Sequence, residues 1–229
     1  MKLLIFDIDG TLTDTNAVDG EFYLCACRDE FGVDAGGTDW ATFRHVTDPG
    51  IFNELFLRHF ARAPLAEEMA RQQRGFFARL AAARDNAPGR FREIPGARDF
   101  VRYCLEQKSD IGIAFATGGW GTSARMKLSA AGIAHETAPL SSADGFIRRH
   151  DILTHAVELS RRRYATAEFA DVIYFGDGEW DYRTTADMGM RFVGVDAGRS
   201  GKLARLGARA VIHDFVDAAE ILAWLENLV

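Results

Sequence analysis

Along the chain, short apolar runs alternate with longer stretches of helical periodicity. KLLIFD (2–7) sets four apolar residues in a row and closes on an aspartate. IGIAFAT (111–117), VIYFGD (172–177), RFVGVDA (191–197) and AVIHDF (210–215) share that character: short, rich in β-branched or aromatic residues, and bounded by Asp, Thr or Gly. Near-continuous apolar runs of this length predict strands buried on both faces of a parallel sheet. Helical patterns lie between the later runs. PGARDFVRYCLEQ (95–107) precedes the second, and GWGTSARMKLSAAGI (119–133) follows it, with Gly132 as the helix stop. DILTHAVELSRRRY (151–164) precedes the third, and VDAAEILAWLENL (216–228) supplies the last helix. Strands alternating with helices define an α/β fold with a doubly wound parallel sheet.

The alternation breaks once. From Thr15 to Gly89 no strand pattern occurs, and three helical patterns follow one another at 21–32, 51–62 and 65–86, separated by AGGTDW and TDPG. This predicts an all-helical domain, 15–89, inserted into an α/β core made of 1–14 and 90–229. Its two connections, near 14–17 and 88–95, are expected to act as hinges. A chain of 229 residues is long enough for one large domain carrying such an insertion.

Composition removes some function classes. The net charge of −6 excludes a general binder of nucleic-acid backbones, which needs a basic surplus. No run of eighteen apolar residues predicts a membrane span, and the N-terminus reads as a strand rather than a signal segment. The three cysteines, Cys25, Cys27 and Cys104, have no framework spacing, and Cys25 and Cys27 do not share a helix face, so both read as packing residues. A cytoplasmic protein, monomer or homodimer, is expected.

In open α/β sheets, ligands gather beyond the carboxyl ends of the strands. There the first strand delivers Asp7, Asp9 and Thr11, the second Thr117, Gly118 and Gly119, and the third Asp177 with Asp181 in GDGEWD. Arg148 and Arg149 stand ahead of the helix before the third strand. Singly, such residues serve as turn or cap residues. Together they suit phosphoryl transfer. Acidic oxygens suit Mg²⁺. Amides at a helix start and an arginine suit phosphate. One carboxylate, Asp7, can attack phosphorus while the other, Asp9, exchanges a proton with the leaving oxygen and with water. Two adjacent carboxylates are tolerable where their environments divide them into nucleophile and acid.

These stretches resemble the motifs of the haloacid dehalogenase-like hydrolases. DIDGTLTD is similar to the family's first motif, IAFATGG to the second and FGDGEWD to the fourth, in the right order along the chain. The resemblance implies a Rossmann-like core, a Mg²⁺-dependent phosphatase or phosphotransferase, and a mobile helical cap inserted after the first motif. It implies that Asp7 is nucleophile and metal ligand. Asp9 would be general acid/base and a metal ligand through its backbone carbonyl. Asp177 and Asp181 would serve the metal, and Thr117 and Gly118 the phosphate. Asp9 favours phosphate chemistry, because the family's true dehalogenases lack it. The family's basic third motif is commonly lysine. Arg149 is the preferred match here, with Arg148 and the more distant Lys127 as alternatives. In the insertion, FRHVTDPGIF (43–52) is the expected substrate contact, through Arg44 or His45. The expected function is hydrolysis of a small phosphorylated metabolite through an aspartyl-phosphate. The alternatives are a phosphomutase of the β-phosphoglucomutase kind and a non-catalytic phosphate sensor. A response-regulator receiver ranks last, because it lacks a large helical insertion.

Overall fold

The computed structural model describes residues 1–227. Its elements in chain order are β1 (Lys2–Phe6), β2 (Thr13–Asp14), α1 (Asn16–Phe31), α2 (Asp48–Phe60), α3 (Ala66–Asn86), β3 (Arg92–Glu93), α4 (Ala97–Gln107), β4 (Ile111–Ala116), α5 (Gly121–Ala130), β5 (Leu140–Ser141), α6 (Arg149–Arg163), β6 (Asp171–Gly176), α7 (Glu179–Asp187), β7 (Arg191–Val195), α8 (Lys202–Arg205), β8 (Val211–Ile212) and α9 (Ala218–Asn227). The last residue of the predicted C-terminal helix, Leu228, lies outside the described residues. No described helix is long and apolar enough to cross a membrane.

Six strands form one parallel sheet in the order β5-β4-β1-β6-β7-β8. β1 sits in the middle, and its side chains alternate between the two faces. Leu4 and Phe6 join a core with α4, α5 and α9, while Leu3 and Ile5 join a second core with α6. Both faces are apolar, which is why the run reads as continuous. Phe6 stacks on Phe175 at 4.6 Å, and Phe100 and Phe215 close the cluster at 5.2 Å from each other. Burying each such ring contributes about 2 kcal/mol before its ordering cost.

The edge strands are shorter than their sequence runs. Of 210–215 only Val211 and Ile212 pair, because His213 turns its ring to the Asp196 carbonyl and Phe215 N–H reaches the Pro95 carbonyl. β5 has no sequence signal at all; its two residues pair with Phe115 and Ala116.

No strand occurs between α1 and α3, and α1–α3 share their own apolar cluster, centred on Tyr23, Phe52, Phe56, Phe76 and Leu80. Trp120, from the loop before α5, is part of that cluster. The chain enters and leaves this helical segment side by side: Thr13 pairs with Glu93 and Asp14 with Arg92. Two helix starts differ from the sequence reading. α1 begins at Asn16 instead of Glu21, with Gly20 inside it against the Trp40 ring. TDPG, read as a break, is the start of α2: the Thr47 hydroxyl accepts the Gly50 N–H and Pro49 occupies the first turn.

Gly96, ahead of α4, has φ +82°, and a Cβ there would lie 2.5 Å from the Phe215 carbonyl carbon. Gly96→Ala should therefore destabilise the core by about 2 kcal/mol or more, read as a lower urea midpoint. An unchanged midpoint would show that the contact between this turn and the segment before α9 is soft.

Candidate active site

Register brings the site together. Phe6 of β1 lies opposite Phe115 of β4 and Phe175 of β6, so the residues just beyond these strands reach one sheet edge. Asp7, Thr117 and Asp177 stand there, each more than nine-tenths buried. Gly10 makes the arrangement possible. It has φ +76°, and a Cβ would lie 2.3 Å from Asp177 Oδ2.

Asp7, Asp177 and Asp181 each present an oxygen within 4.8 Å of the others. Burial, then repulsion from Asp181, pushes the Asp7 carboxyl well above its usual range against the pull of Arg149. Burial likewise raises Asp177 to about 6, against the pull of Lys202. Asp7 Oδ1 is buried with no hydrogen-bond partner. An all-oxygen cluster with an unsatisfied buried oxygen suits a hard divalent cation. The Asp181 oxygens are engaged by protein donors. Arg149 Nη1 (2.6 Å) and Tyr174 Oη (3.1 Å) donate to Oδ1, and Gly178 N–H (3.0 Å) donates to Oδ2. The Asp177 Oδ2 accepts from Asn16 Nδ2 at 2.9 Å, a residue in the first turn of α1.

Arg149 opens α6, and its side chain crosses to the cluster. Its Nη1 stands 3.9 Å from Asp7 Oδ1, and its Nε donates to the Val46 carbonyl at 3.1 Å. Gly118 lies against it: a Cβ there would be 2.7 Å from both Arg149 Nη2 and the Val46 oxygen. The Thr117 hydroxyl accepts the Gly119 N–H at 3.0 Å. Of the basic candidates, Arg149 is the one brought to Asp7. Arg148 pairs with Asp151 at the surface, at 2.9 Å. Lys127 is brought to Asp9 instead.

The Asp9 carboxylate is not part of the three-aspartate cluster and has partners of its own. Its Oδ2 accepts from Lys127 Nζ at 2.5 Å, and its Oδ1 contacts Thr15 Oγ1 at 2.5 Å. Thr15 in turn meets Thr13 Oγ1 at 2.6 Å, which meets the Ile8 carbonyl at 3.1 Å. Two hydroxyl hydrogens serve these three contacts. With Asp9 ionised, Thr13 donates to Thr15 and Thr15 to Asp9. With a proton on Oδ1, the chain reverses and ends on the Ile8 carbonyl. The pair of threonines thus satisfies Asp9 in both protonation states.

A cavity of about 250 Å³ covers this edge, lined on the sheet side by Asp7, Asp9, Thr117, Gly118, Arg149 and Asp177. From the helical segment it receives Asp19, Tyr23, Trp40, Thr47 and Asp48. Arg44 and His45 are not among its lining residues. They line a neighbouring cavity with Glu179 and Arg183, because the chain turns inward one residue later, in the strip 46–48, where α2 begins. That strip is fastened to the core. Asp48 N–H donates to the Gly118 carbonyl at 2.7 Å, its Oδ2 accepts Trp120 N–H at 2.9 Å, and Thr47 Oγ1 donates to the Ile147 carbonyl at 2.7 Å. Asp48 lies in the FRHVTDPGIF stretch expected at the substrate, although Arg44 and His45 were the contacts expected from it; Asp19 was not singled out by the sequence. Beyond that, their signal was only that of acidic residues at the starts of α1 and α2.

The family model of the haloacid dehalogenase-like hydrolases matches residues 1–189. A phosphoglycolate phosphatase from Mesorhizobium japonicum is 24% identical over 221 residues, 96% of this chain and 93% of that protein. Among solved structures, a hydrolase from Pseudomonas syringae superposes with TM-score 0.73 at 20% identity, covering 100% of both chains. A β-phosphoglucomutase from Clostridium difficile superposes with TM-score 0.68 at 15% identity, covering 98% of this chain and 96% of that one.

The raised carboxyls set a pH dependence. With Asp177 lifted from 3.8 to about 6, the folded state holds more protons than the unfolded one between those values. Without metal, this group's contribution to stability falls as pH rises through that window and is level above it. A divalent cation needs the ionised form, so Mg²⁺ should raise Tm clearly at about pH 7.5 and little at about pH 5. Asp177→Asn should lose most of the Mg²⁺ effect. An equal Mg²⁺ shift at both pH values would place cation binding elsewhere.

Proposed function

The chain belongs to the haloacid dehalogenase-like hydrolase family, and we propose that within it this protein is a Mg²⁺-dependent phosphatase of a small phosphorylated metabolite. The observation that carries the reading is Asp7: a buried carboxylate with an unpartnered oxygen, facing Arg149 at the floor of a cavity roofed by α1 and α2. The 24%-identical phosphoglycolate phosphatase, aligned over nearly the whole chain, supports the same class of reaction.

Asp7, Asp177 and the backbone carbonyl of Asp9 would hold the cation, with Asp181 behind them. When bound, Mg²⁺ supplies the positive charge that lets one anion approach another. Thr117, the amides after it and Arg149 orient the phosphoryl group. The Asp7 carboxylate attacks phosphorus; a P–O bond forms to Asp7 and the bond to the leaving oxygen breaks. Asp9 delivers its proton to that leaving oxygen, and the Thr15–Thr13 chain reverses as it does so. Water then attacks the aspartyl-phosphate, Asp9 takes a proton from it, and inorganic phosphate and free Asp7 are restored.

The helical segment 15–89 is read as the cap. Its two crossings pair at β2 and β3, and the strip 46–48 is its contact with the phosphate loop. A phosphomutase is the second reading, supported by the β-phosphoglucomutase superposition. It differs in offering the aspartyl-phosphate a sugar hydroxyl in place of water.

The test is phosphate release from sugar phosphates, phosphoglycolate, nucleotides and p-nitrophenyl phosphate, with Mg²⁺ and with EDTA. Release should require Mg²⁺ and fall by about 10³-fold or more in Asp7→Asn. Activity surviving in Asp7→Asn would overturn the nucleophile assignment. Turnover that appears only with a sugar bisphosphate would select the mutase.

A further inference from the structure

Lys127 lies on the buried face of α5, in step with Ser123, Ala124 and Leu128, and is 0% exposed. Helical spacing marks that face as packing surface, yet it carries an ammonium group. Burial disfavours the charge, but Asp19 and Asp9 outweigh it and hold the Lys127 pKa above its usual value. Nζ lies 2.5 Å from Asp9 Oδ2 and 2.6 Å from Asp19 Oδ1. A buried ion triad is a poor way to gain stability, since well-packed apolar residues often do as well or better. This one includes Asp9 itself. Thr15 contacts one oxygen of Asp9 and Lys127 holds the other, so the carboxylate has no free rotation left. Asp19, the third member, belongs to α1 and lines the cavity.

We propose that Lys127 is a positioning residue for proton transfer: it acts through Asp9, fixing the carboxylate that serves the leaving oxygen. Through Asp19 the same ammonium ties α1 over the cavity. Arg149 serves the phosphoryl side and Lys127 the leaving-group side. The inference rests on the phosphatase reading, with Asp9 as acid/base.

The experiment compares kcat/KM for p-nitrophenyl phosphate, whose leaving group departs as a stable anion, with that for the fastest alkyl phosphate in the panel, whose alkoxide needs a proton. Asp9→Asn is the reference and should lose far more on the alkyl substrate. Lys127→Met should show the same asymmetry: about 10²-fold lost on the alkyl phosphate and about 10-fold or less on the aryl one. Lys127→Gln, which keeps a hydrogen-bond donor, provides the same comparison if the Met variant fails to fold. Lys127→Arg should recover part of the alkyl activity. Asp19→Asn keeps the Lys127–Asp9 contact, so it should raise KM while preserving the alkyl-to-aryl ratio. Equal losses on both substrates in the Lys127 variants, or none, would overturn the proposal while Asp9→Asn stays asymmetric. A symmetric loss in Asp9→Asn would instead remove the acid/base assignment, and the role of Lys127 with it.

Discussion

Like charge buried at one sheet edge is the constraint around which this molecule is organised. Asp7, Asp177 and Asp181 crowd within 4.8 Å, and Asp9, Asp19 and Asp48 line the same cavity. Burial first, and repulsion between neighbours second, make carboxylates so placed resist ionisation, and the raised Asp7 and Asp177 express that resistance. Two buried cations offset part of that repulsion. Arg149 binds Asp181 and faces Asp7, while Lys127 joins Asp9 to Asp19. The remaining unsatisfied oxygen is on Asp7, the proposed nucleophile. Asp181 is better satisfied, with a donor on each oxygen, although burial raises its carboxyl as well.

The rigid frame that holds these charges is legible in the sequence, because its cause is local. Continuous apolar runs make buried parallel strands, and the residue just beyond such a strand stands at the ligand edge. Asp7, Thr117 and Asp177 are found by that rule alone. Cross-chain contacts are invisible to it. Lys127 sits 118 residues from Asp9 and 108 from Asp19, and periodicity shows only that it shares a helix face with apolar neighbours. The same limit applies to β2 and β3, which are two residues each and pair only because the chain returns beside its own exit. Reading TDPG as a break hid the start of α2, and with it the place of Asp48. The expected contacts Arg44 and His45 fall just short of the inward turn, which begins at Val46.

The helical segment is attached to the core by polar contacts as well as by packing. Val46, Thr47 and Asp48 place backbone or side-chain groups on Arg149, Ile147, Gly118 and Trp120. Trp120 then leaves the phosphate loop to pack within the α1–α3 cluster. The loop that would bind phosphate and the strip that covers it therefore depend on each other. Release of the strip frees the Gly118 carbonyl, the Trp120 amide and one donor of Arg149 together. Those are neighbouring groups on one face of the cavity, so a shift of the segment would change the polarity of the 117–120 loop at the same time.

The choice of cation on each side is set by geometry. Arg149 must address three directions at once: Asp181, Asp7 and a backbone carbonyl. A planar fork of five donors does that, and a point charge does not. Lys127 has a different task, between two carboxylates in a fully buried slot on a helix face. A compact ammonium at the end of an apolar stem can lie on a buried helix face and deliver its charge at the tip. Arg149 is the basic residue brought to Asp7, while Lys127 is brought to Asp9. Exchanging the two would leave the net charge unchanged and still impair both sites. Arginine at position 127 would crowd the slot, and lysine at position 149 would give up either Asp181 or the Val46 carbonyl. The sign of the charge is set by the aspartates, and the shape of the cation by where each aspartate points.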